Sequence, residues 1–100
     1  MNILLTGFMC AGKTTIGRKL AKLLDYNFID TDMEIEEDQG CSVEEIFKYG
    51  GEECFRDMET KLLEKLKNVQ NSVIATGGGI ILREFNQGIL KQIGKQVYLK

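Results

Sequence analysis

The sequence predicts an α/β fold in which helices cover both faces of a parallel β-sheet. Short runs of apolar and β-branched residues alternate with segments of helical periodicity, in the order β–α–β–α–α–α–β–α–β. The first of these runs, Asn2–Thr6, carries consecutive apolar residues, which is typical of a central strand covered on both faces. Right-handed connections between the strands then follow from the general rule for parallel sheets.

Composition narrows the class of protein and of partner. The 100 residues suffice for one domain, which we predict to span residues 1–100, and the 43% hydrophobic content is typical of a globular protein. A net charge of −2 without a basic stripe gives no basis for binding nucleic acid, and no apolar run is long enough to span a membrane. We therefore expect neither nucleic acid nor a membrane as a partner.

The histidine and cysteine content limits the kinds of catalytic site that the chain can form. The chain has no histidine, which excludes a Ser-His-Asp triad, and its three cysteines are widely spaced without a C-x-x-C pair. The first strand begins at residue 2 and leaves no room for a targeting peptide. We expect a cytoplasmic protein with reduced thiols.

The segment Gly7–Thr14 has the pattern G-x-x-x-x-G-K-[ST] and lies between a strand and a helix, as a nucleotide phosphate-binding loop does. Its glycines let the backbone turn N–H groups towards a polyphosphate, and the following helix adds the positive end of its dipole. Lys13 can reach the β- and γ-phosphates, and Thr14 can bind the accompanying Mg²⁺. The alternative is an ordinary glycine-rich turn, against which the flanking strand and helix argue. The residues assigned to phosphate binding are Cys10, Ala11, Gly12, Lys13, Thr14 and Thr15.

A helix is predicted over residues 13–24 and a short second strand at residues 28–29. The apolar side chains that recur at helical spacing, and are therefore expected to be buried, are Ile16, Leu20 and Leu23 or Leu24. The second strand runs into Asp30-Thr31-Asp32. Because ligands of open α/β sheets gather at the carboxyl ends of strands, these acids should share an edge with the phosphate loop.

The two aspartates have a functional and a structural interpretation. One carboxylate could hold Mg²⁺, and the other could orient a hydroxyl that attacks the γ-phosphate. Thr31-x-x-Glu34 also fits a helix capping box. We expect both to hold, with Thr31 capping the next helix while Asp30 and Asp32 face the site.

Three helices are predicted between the second and third strands, over residues 33–39, 43–50 and 51–69. A capping box at residues 42–45 begins the second of them. Arg56 lies near the start of the third helix, where the sequence by itself favours a surface charge. The side chains predicted to be buried are Val43, Ile46, Phe47, Phe55, Met58, Leu62, Leu66 and Val69.

The third strand, Ser72–Thr76, runs into Gly77-Gly78-Gly79. Three glycines after a strand are by default a flexible turn. Beside a phosphate loop, however, backbone without side chains lets a second substrate approach closely. A helix over Glu84–Ile93, burying Phe85, Ile89 and Ile93, and a fourth strand at Gln96–Leu99 complete the pattern.

Several of these segments, in this order, resemble the shikimate kinase family of phosphate-loop small-molecule kinases. The resemblance spans essentially the whole chain and implies a three-layer P-loop NTPase fold with strand order 2-3-1-4 and a fifth strand, absent here, beyond. The matching segments are Gly7–Thr14 with Ile16-Gly17, Asp30-Thr31-Asp32, Gly51-Glu52-x-x-Phe55-Arg56, Gly77-Gly78-Gly79 and Val97-Tyr98-Leu99.

The resemblance implies that the protein uses ATP to phosphorylate the 3-hydroxyl of shikimate. This reaction belongs to chorismate and aromatic amino-acid biosynthesis. ATP and shikimate would be the partners and Mg²⁺ the cofactor. Lys13 and Thr14 would contact the ATP phosphates and the magnesium, with Asp30 in the magnesium shell. Asp32 would lie against the shikimate hydroxyls, and Lys13 and Asp32 would be the catalytic residues.

The resemblance also assigns the remaining contacts to shikimate. Arg56 would bind its carboxylate, a task suited to the planar fork of a guanidinium. Gly77, Gly78 and Gly79 would bring backbone close to the ring, with N–H donors from Gly78 and Gly79.

Two features depart from the family pattern. Cys10 stands where family members commonly have glycine, and the chain ends at Lys100, before the family's lid, second substrate-binding arginine and adenine-contacting loop. We expect a C-terminally truncated domain, a monomer as in the family, with the uncovered edge of the fourth strand available for pairing. The alternatives are a nucleotide- and shikimate-binding module without turnover, and another small-molecule P-loop kinase.

Overall fold

β1 lies inside the sheet because strands pair with it on both sides. The computed structural model describes residues 1–7, 11–77, 80 and 83–99. Leu4 of β1 is in parallel register with Ile74 on one side and Gln96 on the other. The four strands of the described chain have the order β2-β3-β1-β4, which confirms the order implied by the resemblance. Their bounds are β1 Ile3–Gly7, β2 Asn27–Asp30, β3 Ser72–Ala75 and β4 Lys95–Leu99.

Helices pack on both faces of this sheet because successive side chains of its strands point to opposite faces. Leu4 and Ile74 contribute to a core with α3 and α4, whereas Leu5 and Val73 contribute to a second core with Ala21 of α1. A third cluster joins α2 to α3. The helix bounds are α1 Ala11–Leu24, α2 Thr31–Gln39, α3 Val43–Leu66 and α4 Glu84–Ile93, and the third cluster comprises Ile35, Ile46 and Phe55.

α1 packs on the sheet largely through small residues, and of the predicted apolar face only Leu20 packs against the second core. Ile16 is 47% exposed and Leu23 is 83% exposed, whereas Ala21 is buried. Gly17 is also buried, and a Cβ there would collide with the ring of Phe28. The close approach of the helix to β2 therefore selects residues without bulk, a contact that apolar periodicity cannot reveal.

α3 is a helical run that changes direction at Gly51. Its capping box is confirmed, since the Glu45 amide donates to Ser42 Oγ and the Ser42 amide donates to Glu45 Oε1, each over 3.2 Å. Gly51 has φ 80° and ψ 171°, so the two helices predicted from the sequence are one run with a break at the predicted place. The run ends at Leu66 rather than Val69.

Two predicted core aromatics lie outside the core. Phe85, at the start of α4, is 65% exposed, and Phe47 of α3 stacks at 5.1 Å on Phe55 while remaining 37% exposed. α4 instead buries Asn86 and Leu90 together with the predicted Ile89 and Ile93. One polar side chain therefore lies inside the α3–α4 packing.

A buried asparagine joins the ends of the elements at the amino edge of the sheet. Asn2 Nδ2 donates to the carbonyls of Val69 and Ile93 at 2.9 and 3.1 Å. Its Oδ1 accepts from the Ser72 amide at 3.0 Å. The backbone groups that follow α3 and end α4 are thereby satisfied away from water.

We predict opposite effects for the same substitution at two glycines. Gly51→Ala should lower the free energy of unfolding by about 1–3 kcal/mol, because an alanine is strained at a positive φ. Gly88→Ala, at an exposed site in α4 with no atom within 4 Å of the new Cβ, should raise it by about 0.5–1 kcal/mol. Urea denaturation measures both. A Gly51→Ala variant as stable as the wild type would show that the break at Gly51 is not required.

Candidate functional site

The strand and the helix predicted on either side of the phosphate loop are both present. β1 ends at Gly7, and α1 begins at Ala11, so Gly12, Lys13, Thr14 and Thr15 lie in its first turns. Cys10 and the Lys13 side chain fall outside the described part of the chain. The amino end of α1 supplies unpaired N–H groups and a positive dipole end, as anion binding requires.

Asp30 joins the phosphate loop to α2 through its two carboxylate oxygens. Oδ2 accepts from the Thr14 hydroxyl at 3.0 Å. Oδ1 accepts from the amides of Asp32 and Met33 at 3.0 and 3.2 Å, which makes Asp30 the N-cap of α2. The prediction that Thr31 caps this helix is therefore wrong. The helix begins two residues earlier than predicted.

Thr31 is fully buried and serves the neighbouring strand instead. Its hydroxyl oxygen accepts a hydrogen bond from the Gly77 amide at 3.0 Å. This contact ties the residue after β2 to the segment that follows β3. The tertiary bond, which is not visible in the local sequence, decides that the adjacent aspartate becomes the cap.

The Thr14–Asp30 pair has the donor set that Mg²⁺ prefers. A hydroxyl and a carboxylate oxygen lie 3.0 Å apart, both partly buried, at the start of α1. Magnesium is usually held by one or two protein oxygens and completed by phosphates and water. Within the described residues no group of three His, Cys, Asp or Glu side chains is arranged as a metal site. The two residues therefore fit a magnesium that arrives with a nucleotide.

Asp32 lies against the backbone of the glycine segment. A Cβ on Gly77 would collide with the Asp32 carboxylate and would approach its Cγ to 3.0 Å. Any side chain at position 77 would therefore displace the Asp32 carboxylate. Gly78 and Gly79 lie outside the described residues. Asp30, Asp32 and Gly77 are thus brought together at the carboxyl edge of the sheet.

Arg56 is held by two carboxylates and is not the surface charge that the sequence by itself favoured. Its side chain is 15% exposed, with Nη1 at 2.7 Å from Glu59 Oε1 and Nη2 at 3.2 Å from Glu52 Oε2. Glu59 is fully buried, whereas Glu52 is 66% exposed. Within the described part of the chain, the buried Arg56 Nε and Glu59 Oε2 have no hydrogen-bond partner.

Burial and the ion pair together set the pKa values of Glu59 and Arg56. It raises the pKa of Glu59 above its ordinary value of 4.5, which outweighs the lowering by the hydrogen bond and charge of Arg56. The negative charge of Asp32 raises the Glu59 pKa further. Burial alone would lower the pKa of Arg56, but the contacts with Glu59 and then Glu52 raise it.

Sequence reasoning missed four polar residues where α3 meets the start of α4, namely Glu59, Thr60, Arg83 and Asn86. Glu59 occupies a core position of the α3 stripe between Phe55 and Leu63, and a lone acid at such a position is a signal that could have found it. The other three are recognised only by their contacts with residues distant in the sequence. Arg83 binds Asp57 at 2.9 Å, and the Thr60 hydroxyl lies 2.7 Å from Asn86 Oδ1.

A parallel sheet with the G-x-x-x-x-G-K-[ST] segment between β1 and α1, and acids at the end of β2, defines a P-loop protein of the α/β class. The family model described as shikimate kinase matches residues 9–100, and the chain belongs to that family. In the described ranges, no helix has the length and apolar character needed to cross a membrane.

Individual relatives agree with this family. A shikimate kinase of Alkaliphilus oremlandii is 52% identical over 99 residues, which are 99% of this chain and 59% of that protein. A shikimate kinase of Clostridium botulinum is 50% identical over 99 residues, which are 99% of this chain and 58% of that protein. The chain thus spans less than two thirds of the length of these curated relatives.

Solved structures show the same fold. Shikimate kinase from Acinetobacter baumannii in complex with shikimate superposes with a TM-score of 0.94 at 49% identity, over 98% of this chain and 55% of that one. The enzyme from Aquifex aeolicus gives 0.93 at 39% identity, over 100% and 60% of the two chains. A gluconokinase from Sinorhizobium meliloti, with a TM-score of 0.57 at 15% identity, shares the fold alone.

We predict that Glu59→Gln changes how stability depends on pH. Because the folded protein raises the Glu59 pKa, the stabilising contribution of this group is complete below pH 4.5 and declines as pH rises through the raised pKa. The variant lacks this titration. Its free energy of unfolding relative to wild type should therefore increase from pH 4 to about pH 7.5, as followed by urea denaturation.

The matched control is Glu52→Gln, which removes the exposed partner of the same guanidinium. We expect it to change stability by less than about 1 kcal/mol at neutral pH. A Glu59→Gln difference that stays flat or falls as pH rises would contradict the raised pKa.

Proposed function

We propose that the protein is an ATP-dependent kinase that phosphorylates the 3-hydroxyl of shikimate to give shikimate 3-phosphate and ADP. Membership of the shikimate kinase family supports this, and one observation carries it to named residues. Asp32 lies beside Gly77 at the carboxyl edge of the sheet, and the buried Glu59 holds the partly buried Arg56, so the site offers a carboxylate acceptor and a guanidinium donor. A ring bearing hydroxyls and a carboxylate suits that pair.

Arg56 would bind the substrate carboxylate while Glu59 holds the guanidinium in place. Nη1 is fixed by the buried acid, whereas the partner on Nη2 is the exposed Glu52, which an incoming carboxylate can replace. The buried Nε has no partner among the described residues and is a further donor for that carboxylate. The donors of a guanidinium are fixed in a planar fork, which suits a carboxylate better than an ammonium does.

Asp32 would orient the acceptor hydroxyl. Its carboxylate is pressed against Gly77 and its amide is tied to the Asp30 carboxylate, so it is fixed at both ends. It can accept the hydroxyl proton as the oxygen attacks the γ-phosphate in line. We assign Lys13 and Asp32 as the catalytic residues, and Gly77, Gly78 and Gly79 to close approach of the ring.

The nucleotide phosphates would lie at the amino end of α1. The residues assigned to them remain Cys10, Ala11, Gly12, Lys13, Thr14 and Thr15. Thr14 and Asp30 would hold the Mg²⁺, which, when bound, offsets the charge of the transferring phosphoryl group. The α1 amino end and the Lys13 ammonium would offset the remainder.

The reaction would serve chorismate and aromatic amino-acid biosynthesis in the cytoplasm, where ATP is made and thiols such as Cys41 and Cys54 stay reduced. A monomer stays a prediction, as does pairing at the edge of β4, where Val97 is 39% exposed. A single domain over residues 1–100 is likewise part of the proposal.

We expect ADP release with Mg-ATP to depend on shikimate. The assay compares shikimate with no acceptor and with gluconate, a sugar acid, on the intact gene product and on residues 1–100. Shikimate-dependent turnover supports the proposal. Turnover with gluconate would favour another small-molecule kinase, and shikimate binding without turnover by the intact gene product would favour a binding module.

Arg56→Ala should weaken shikimate binding by about 2–5 kcal/mol, because a desolvated charge pair is lost. Arg56→Lys should recover only part of this, since an ammonium lacks the bidentate fork. The control is Lys67→Ala, which removes a paired cation, 3.0 Å from Glu64, just beyond the other end of α3. Calorimetric titration with shikimate measures all three. An unchanged affinity in Arg56→Ala would remove Arg56 from the substrate site.

A further inference from the structure

Asn86 is a buried polar residue inside α4 that the reaction chemistry does not use. It is fully buried in the first turn of α4, so its amide requires specific partners. Nδ2 donates to the Ile80 carbonyl at 3.0 Å, and Oδ1 accepts from the Thr60 hydroxyl at 2.7 Å. Because the Ile80 carbonyl needs a donor, these two bonds fix the orientation of the amide.

On one side, this amide reaches the helix that carries Arg56. The Thr60 hydroxyl lies 3.1 Å from the Arg56 carbonyl oxygen, one turn earlier in α3, as well as 2.7 Å from Asn86 Oδ1. The shorter distance and the buried acceptor favour Asn86 as the partner of the single hydroxyl proton. Thr60, one turn after Arg56 in α3, therefore joins this helix to α4 through its bond to Asn86.

On the other side, the amide reaches the glycine segment and Asp32. Ile80 is fully buried, and its amide donates to the Gly77 carbonyl at 3.3 Å while its carbonyl accepts from Asn86. The Gly77 amide in turn donates to Thr31, the neighbour of Asp32. Hydrogen bonds thus run from Thr60, on the helix that carries Arg56, through Asn86, Ile80 and Gly77 to Thr31 in the first turn of α2.

We propose that Thr60 and Asn86 are positioning residues, which set the separation between Arg56 and Gly77. A rigid ring that is held at its carboxylate and at its hydroxyls fits only one such separation. Both groups act through other residues and touch neither substrate. This inference rests on the proposed function, since it takes shikimate as the ligand that Arg56 and Asp32 bind.

The test is Thr60→Val, a near-isosteric change that removes the hydroxyl at a partly buried position. We expect the KM for shikimate to rise about three- to tenfold while the KM for ATP stays unchanged, because the variant loses the bond to Asn86 Oδ1 and the weaker 3.4 Å bond from Arg83 Nη1. Thr60→Ser restores the hydroxyl and should restore the KM for shikimate. Thr60→Val is preferred to Asn86 variants, because these would leave the buried Ile80 carbonyl without its donor and endanger folding.

The matched control is Ser72→Ala. Ser72 is also a buried hydroxyl, 1% exposed, and it donates to the Gln70 carbonyl at 3.1 Å at the opposite end of β3. It should lower the melting temperature without changing the KM for shikimate. A melting temperature lowered by Thr60→Val with an unchanged KM, or an equal KM increase in Ser72→Ala, would overturn the inference.

Failure of the proposed function gives a different result. A wild-type gene product without shikimate-dependent ADP release would overturn that function, and this inference with it. Normal wild-type turnover together with an unchanged shikimate KM in Thr60→Val would overturn the positioning role alone.

Discussion

The buried Asn2 amide joins four segments of the chain at the amino edge of the sheet. Its three hydrogen bonds reach the residues that follow α3, begin β3 and end α4, while its own carbonyl accepts from Lys95 at 3.1 Å, at the start of β4. A polar side chain of this kind is stable in the interior only when all its groups are paired. With the amino ends fixed together, the carboxyl ends of the parallel strands lie side by side, and the site is built there.

At the carboxyl edge of the sheet, the site depends on the buried Glu59, whose desolvation is energetically unfavourable. The buried Glu59 carboxylate is disfavoured by loss of water, as its raised pKa records, and Arg56 compensates it only in part. The ion pair with Glu59 also fixes the Arg56 guanidinium before any ligand binds. A flexible arginine would lose side-chain entropy on binding, and one held in advance loses less.

The sequence predicted the strands, the break at Gly51 and the cap at Ser42, because each depends on local chemistry. It failed where a contact between distant segments decides the outcome. α1 packs through Gly17 because of the Phe28 ring, and Asp30 rather than Thr31 caps α2 because Gly77 takes the threonine hydroxyl. The strand order and the substrate role of Arg56 came from the family resemblance. The first is confirmed by the sheet, and the second stays a prediction.

The carboxylate of Asp30 has two structural roles. One of its oxygens holds the start of α2, and the other holds Thr14 of the phosphate loop. Asparagine would supply an oxygen for only one of these tasks, and glutamate would move both oxygens by a methylene. A substitution at position 30 therefore disturbs both the contact with Thr14 and the start of the helix that carries Asp32.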